Sequence, residues 1–232
     1  MVQLRIKNIT DNKLLDYAFE LKTIIAQNGK NLIINDRPDI AKIVDADGVH
    51  LGQDDLPIKE TKSIIGRNKI IGISTHNEDQ LRTAIDNGAD YIGVGPVFNS
   101  KTKTFNKLAG IEFVQESSAI CTVPWFAIGG IDTQNINQLV KHGVKRIAIS
   151  NSLFNAENPL KTIKLLKEAL VKKYEAEIAD AEARLYVYFT NPVGIGEHPQ
   201  HLDEIDKLFQ KIADAQEKLK VIEEFREPKV AL

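Results

Sequence analysis

Seven short apolar runs recur along the first two-thirds of the chain, at 2–6, 31–35, 48–51, 69–73, 91–94, 123–128 and 146–150. Amphipathic patterns with apolar residues three and four apart separate most of them, at 12–28, 57–65, 77–87, 109–118 and 134–142; the connection 36–46 carries the weakest pattern. Strands that alternate with helices at this spacing argue a parallel sheet. Eight such units closing on themselves form a TIM-type (β/α) barrel, of which seven are recognisable here. The expected fold class is therefore α/β, a TIM-type (β/α) barrel with seven of eight units and a C-terminal helical hairpin.

The hairpin follows from a change of period after about residue 158. Ile163, Leu166, Leu170, Tyr174, Ile178, Ala181, Leu185 and Tyr188 form one apolar stripe, and Ile205, Leu208, Ile212, Ala215, Leu219 and Ile222 form a second. Asn191, Pro192, Gly194, Gly196 and Pro199 punctuate the segment between them as a turn. The first helix begins as the last barrel helix, so the expected domains are 1–170 and 171–232. A rival reading makes 185–190 a strand and 201–225 its helix, supplying the missing unit by circular permutation.

The 232 residues are 43% hydrophobic, enough for a full core, and the net charge is only −2 with scattered basic residues. This argues against nucleic acid and against a membrane surface as partners. Cys121 is the single cysteine, and no stretch has the length and apolarity of a membrane span or a leader, so the expected location is cytoplasmic.

Polar residues collect where the runs end, and parallel strand ends converge on one rim. Gln3, Arg5 and Lys7 alternate on one face of the first strand. Asn35 and Asp36 end the second strand, and Asp55 lies beyond the third. Two separated carboxylates suit Mg²⁺, which takes oxygen ligands and keeps positions for water and substrate phosphates. Helix N-caps are the plainer use of Asp36, Asp54 or Asp55, and ion pairing is the plainer use of Arg37 and Lys42. Ser74 and His76 close the fourth strand after Gly72, which permits close backbone approach; a structural hydrogen bond is the plain use of His76. Ser100, Lys101, Thr102 and Lys103 make a loop suited to phosphate. Gly129 and Gly130, together with Ser150 and Asn151, have the form of a paired backbone-amide phosphate cup.

Gln3-Leu-Arg5-Ile-Lys7, Ile34-Asn35-Asp36-Arg37, Gly48-Val-His50-Leu-Gly52-Gln53-Asp54-Asp55, Gly72-Ile-Ser74-Thr75-His76, Tyr91-Ile-Gly-Val-Gly95-Pro-Val-Phe98 and Ala127-Ile-Gly-Gly130-Ile131 together resemble thiamine phosphate synthase, over residues 1 to about 157. The resemblance implies a transferase that joins an aminopyrimidine methyl diphosphate to a thiazole phosphate with Mg²⁺. It implies that Arg5, Lys7 and Lys103 act as catalytic cations, and that Asn35 joins them on the diphosphate. Asp36 and Asp55 would bind the metal, and Gln3 and Ser74 the pyrimidine. Ser100, Thr102, Gly130, Ser150 and Asn151 would take the thiazole phosphate. Three features depart from the family pattern: its first strand and helix are not recognisable before Val2, Asn151 replaces a usual Ser, and the loop begins Asn99-Ser100 where a Pro-Thr-like start is usual. The tail from about Val171 lies outside the pattern.

Two other functions fit parts of the chain. A thiazole tautomerase shares the barrel and thiazole site but needs no diphosphate ligands, so Arg5, Lys7, Asp36, Asp55 and Lys103 together argue against it. A truncated, non-catalytic barrel fused to an interaction hairpin is the other; two apolar stripes favour self-association, which leaves a homo-oligomer open.

Overall fold

The structure, a computed structural model, describes residues 1–99, 108–190 and 201–223. Its strands are β1 (Val2–Leu4), β2 (Leu32–Asn35), β3 (Gly48–Leu51), β4 (Ile70–Thr75), β5 (Tyr91–Val94), β6 (Trp125–Ile128) and β7 (Ile147–Ala148), all parallel and in sequence order across one sheet. Its helices are α1 (Asp11–Gln27), α2 (Pro38–Ile43), α3 (Ile58–Ile65), α4 (Glu78–Asp86), α5 (Gly110–Ile120), α6 (Ile136–Lys141), α7 (Asn151–Phe154), α8 (Pro159–Thr190) and α9 (His201–Glu223). Seven strands of a TIM-type α/β fold and the two C-terminal helices are thus in place. No helix among the described residues is long and apolar enough to cross a membrane.

The central strands read as unbroken apolar runs because they are covered on both faces. Leu32, Ile33, Val49, Leu51, Ile71, Ile92 and Val94 are fully buried. Register then decides which side chains share a face. Gln3 pairs with Ile33 and Ile33 with Gly48; two residues along, Asn35 pairs with His50, His50 with Gly72, and Gly72 with Tyr91. Ser74, two residues beyond Gly72, pairs with Gly93. Because side chains alternate along a strand, Gln3, Asn35, His50, Tyr91 and Ser74 all project from the same face.

The edges are shorter than their sequences suggest. β1 ends at Leu4, not at Ile6, because only one neighbour holds it and its ladder with β2 stops at Leu4–Ile34. Arg5 and Lys7 therefore follow the strand instead of alternating along it. β7 keeps two paired residues, Ile147 and Ala148. The segment 36–46 contains α2, whose six residues are too few for a period to be read; Pro38 at its start and the buried Ile40 and Ala41 account for it.

The described chain divides into two compact units, Met1–Ile131 with Lys141–Ser152, and Asp132–Val140 with Leu153–Leu232. In the second, α8 runs unbroken through position 170 and through 185–190, so Leu185–Thr190 is helix and not the strand of the rival reading. Ala181, Leu185 and Leu208 form a small core between α8 and α9, flanked by Tyr188, Ile205 and Ile212. Lys211 on α9 pairs with Asp180 on α8 at 2.9 Å.

Candidate active site

The site begins with the way β2 ends. Asp36 has φ +61°, a left-handed conformation that Asp adopts more readily than bulkier residues, and its N–H donates to the His50 carbonyl at 2.9 Å. Asp55 is drawn in from the loop after β3, where its Oδ2 accepts from the Gly52 N–H at 2.6 Å. The Asp55 side chain hydrogen-bonds that of Asp36. Burial first, and then the neighbouring Asp55, push the Asp36 carboxyl above its ordinary range, while Lys7 and Arg5 pull it down. Two carboxyls and two cations from three strand ends thus act on one another.

Neither carboxylate is used as a helix cap. The N-cap positions of α2 and α3 are Arg37 and Pro57, with no side-chain cap bond at either. Arg37 itself binds Asp11 and Asp39, so it serves as an ion-pair partner. Among the described residues no three or more His, Cys, Asp or Glu side chains gather as a metal cage. A pair of carboxylates in contact fits a hard cation that draws its remaining ligands from water and phosphate oxygens.

A second group of polar side chains sits beside the first on the same sheet face. His50 Nδ1 meets Tyr91 Oη at 2.9 Å, and His50 Nε2 meets Ser74 Oγ at 2.8 Å. Burial pushes the Tyr91 hydroxyl above its ordinary range, while Gln3 on the neighbouring strand end draws it down. Burial, the largest influence, lowers the His50 pKa to about 4, so the ring is neutral at pH 7. Gly72 makes room for this: a Cβ there would stand 2.0 Å from the Tyr91 ring. Gln53 Nε2 donates to the Ser74 carbonyl at 2.7 Å, which fixes that strand end.

His76, by contrast, points its Nδ1 at the Gly95 carbonyl, a structural contact that holds the start of the loop after β5. Ser100, Thr102 and Lys103 lie outside the described residues. Gly129 and Gly130 have φ +93° and +64°, and a Cβ on Gly130 would come 2.3 Å from the Asn99 carbonyl oxygen. The segment after β5 therefore crosses this turn so closely that glycine is required by the protein's own backbone. Ser150 follows β7, and Asn151 begins α7. Ser152 Oγ donates to the Ile131 carbonyl at 2.8 Å and ties the two loops together.

The residues brought together are thus Arg5, Lys7, Asp36 and Asp55 in one cluster, and Gln3, His50, Tyr91 and Ser74 in the next. The sequence reading gave no role to His50 or Tyr91. The available signal was glycine: Gly72 and Gly93 flank them in the register.

A parallel α/β protein of the TIM-barrel class, with an acidic pair and cations at the C-terminal strand ends, is the class that fold and site define. Residues 1–153 match the family model described as thiamine monophosphate synthase. The thiamine-phosphate synthase of Prochlorococcus marinus is 44% identical over 172 residues, 74% of this chain and 50% of that one. That of Nostoc punctiforme is 45% identical over 159 residues, 68% of this chain and 45% of that one. The thiamine phosphate pyrophosphorylase from Pyrococcus furiosus superposes with a TM-score of 0.68 at 32% identity, covering 74% of this chain and 82% of that one. The chain belongs to the thiamine monophosphate synthase family, and it spans about half the length of the curated relatives it matches.

Proposed function

We propose that this chain is a thiamine phosphate synthase, acting in the cytoplasm. It joins 4-amino-2-methyl-5-(diphosphooxymethyl)pyrimidine to thiazole phosphate, giving thiamine phosphate and pyrophosphate. The observation that carries the reading is the contact of Asp36 with Asp55 under the charges of Arg5 and Lys7, at the end of the sheet where the family's motifs fall.

In the reaction the exocyclic C–O bond breaks and its electron pair leaves with the diphosphate. The amino-substituted ring supports the resulting methyl cation, and the thiazole nitrogen closes the new C–N bond. No protein nucleophile is needed, so the work is positioning and charge stabilisation. Arg5, Lys7 and Asn35, with Lys103, hold the diphosphate and stabilise the charge it gains on leaving. Asp36 and Asp55 would hold Mg²⁺, which when bound supplies further positive charge to the departing oxygens. Gln3 and Ser74 orient the pyrimidine. Ser100, Thr102, Gly130, Ser150 and Asn151 receive the thiazole phosphate through hydroxyl and backbone donors.

Mixing both substrates with Mg²⁺ tests this. Thiamine phosphate and pyrophosphate are expected in equal amounts, and neither without the second substrate beyond slow hydrolysis. Isomerisation of a thiazole carboxylate phosphate with no pyrophosphate release would mark a tautomerase. Inertness toward both would favour a non-catalytic barrel.

A further inference from the structure

Two successive carbonyls in the turn after β6 face the same way. Ile128 accepts from the Val97 N–H at 2.9 Å and Gly129 from the Phe98 N–H at 3.2 Å, both on the segment that follows β5. Along a strand such carbonyls would alternate; the φ of +93° at Gly129 turns the second one back. In a trans peptide the N–H points opposite to the carbonyl before it. The N–H groups of Gly129 and Gly130 are therefore both directed away from the β5 segment. The other neighbour of β6 is β7, which Ser150 and Asn151 follow. Two N–H groups side by side make a concavity suited to an anion, and its aim depends on where residues 95–98 are laid.

His76 lays that segment. Its own N–H is held by Gln80 Oε1 at 2.8 Å, and the Gly95 N–H donates to the Thr75 carbonyl at 3.2 Å. The His76 ring meets the Gly95 carbonyl through Nδ1. A carbonyl oxygen only accepts, so the proton of this contact sits on Nδ1. Gly95, Pro96 and Val97 are buried, which makes a carbonyl left without its donor there costly. The segment also has no slack against the turn. A Cβ on Gly95 would stand 2.2 Å from the Ile128 carbonyl oxygen, and one on Gly129 2.6 Å from Pro96 Cβ. A displacement of Gly95 is thus passed to the turn. We propose that His76 is a positioning residue for the thiazole phosphate: its Nδ1–H holds the Gly95 carbonyl, and through residues 95–98 it aims the Gly129 and Gly130 N–H groups at the phosphate.

The identity of the ligand rests on the synthase reading; the Nδ1 proton and the path from Gly95 to the turn rest on geometry alone. Nitrogen-15 spectra of the histidine rings in the full, ligand-free chain read the first part, with the His76 signals assigned by their loss in His76→Asn. A proton on Nδ1 is expected, and a ring protonated on Nε2 alone overturns the proposal. Calorimetry reads the second part, using thiazole phosphate as probe and Mg²⁺ with pyrophosphate as control. An Asn amide nitrogen stands where Nδ1 stands, and a Gln amide nitrogen where Nε2 stands. His76→Gln should weaken thiazole phosphate binding about tenfold, leave the control unchanged, and be matched by near wild-type binding of both probes in His76→Asn. Equal loss for both probes, loss for neither, or an Asn variant as weak as the Gln variant contradicts a positioning role. So does a wild-type chain that does not bind thiazole phosphate. Wild-type chain that binds thiazole phosphate but yields no thiamine phosphate would defeat the synthase reading and leave this one standing.

Discussion

The sheet face and the α8–α9 hairpin use polar side chains in opposite ways. On the sheet face, hydrogen bonds join residues far apart in sequence: His50 to Tyr91, His50 to Ser74, and Gln53 to the Ser74 carbonyl. In the hairpin most ion pairs run three or four residues along one helix, as in Arg184–Asp180, Lys173–Glu177, Lys207–Glu204 and Lys218–Asp214; Lys211–Asp180 crosses between helices. Local pairs of that kind add little to stability and shape no pocket. The difference teaches where chemistry can reside. A site needs groups held against their own preferences by distant parts of the chain, as Asp36 is held beside Asp55 on the sheet face.

The largest effect expected falls on the acidic pair. Asp55→Asn keeps an oxygen for the Gly52 N–H but removes one of two apposed charges. Synthase turnover should drop about 100- to 1,000-fold, while the unfolding midpoint stays level or rises slightly. Parallel steady-state assays and thermal melts check both halves, and a large loss of stability would mean that the pair is a structural element. Next comes the buried histidine. Its ordinary pKa near 6.5 is lowered to about 4 in the fold, so an unfolded chain takes up a proton over that interval that the native chain refuses. The His50 contribution to stability should therefore fall by up to about 3 kcal/mol as pH drops from 6.5 to 4 and change no further below it. Chemical denaturation of wild type and His50→Gln across this range isolates the component, which the variant should lack. Smallest is Leu185→Ala. Leu185 is one of three buried residues in the hairpin core, and its truncation should lower the stability of α8 and α9 by about 2 kcal/mol, seen as faster amide exchange in those helices.

Much of the sheet could be read before the structure, because a strand buried on both faces is an uninterrupted apolar run and needs no partner to be recognised. Ile33, Val49, Ile71 and Ile92 announce themselves this way. The edges could not, since the extent of β1 and β7 depends on how far a single neighbour reaches. α2 was hidden by its brevity. The carboxylates Asp36 and Asp55 stood out as polar residues ending apolar strands, and Arg5 and Lys7 as an alternating pair, although the pair in fact follows the strand. The Tyr91–His50 link was not legible. Tyr91 looks like any strand aromatic, and its approach to His50 depends on a three-strand register and on the side chain that Gly72 lacks. Gly130 looked like a place for phosphate, yet its backbone angle and the crossing at Asn99 already require glycine there.

The central claim is that the acidic pair and the cations after β1 hold one metal–diphosphate group between them. Calorimetric titration of pyrophosphate into the full chain, with and without Mg²⁺, addresses it most directly. The account predicts tight binding only with Mg²⁺, lost in Asp36→Asn and in Arg5→Ala alike. Pyrophosphate binding that ignores Mg²⁺, or that survives the loss of Asp36, would contradict it.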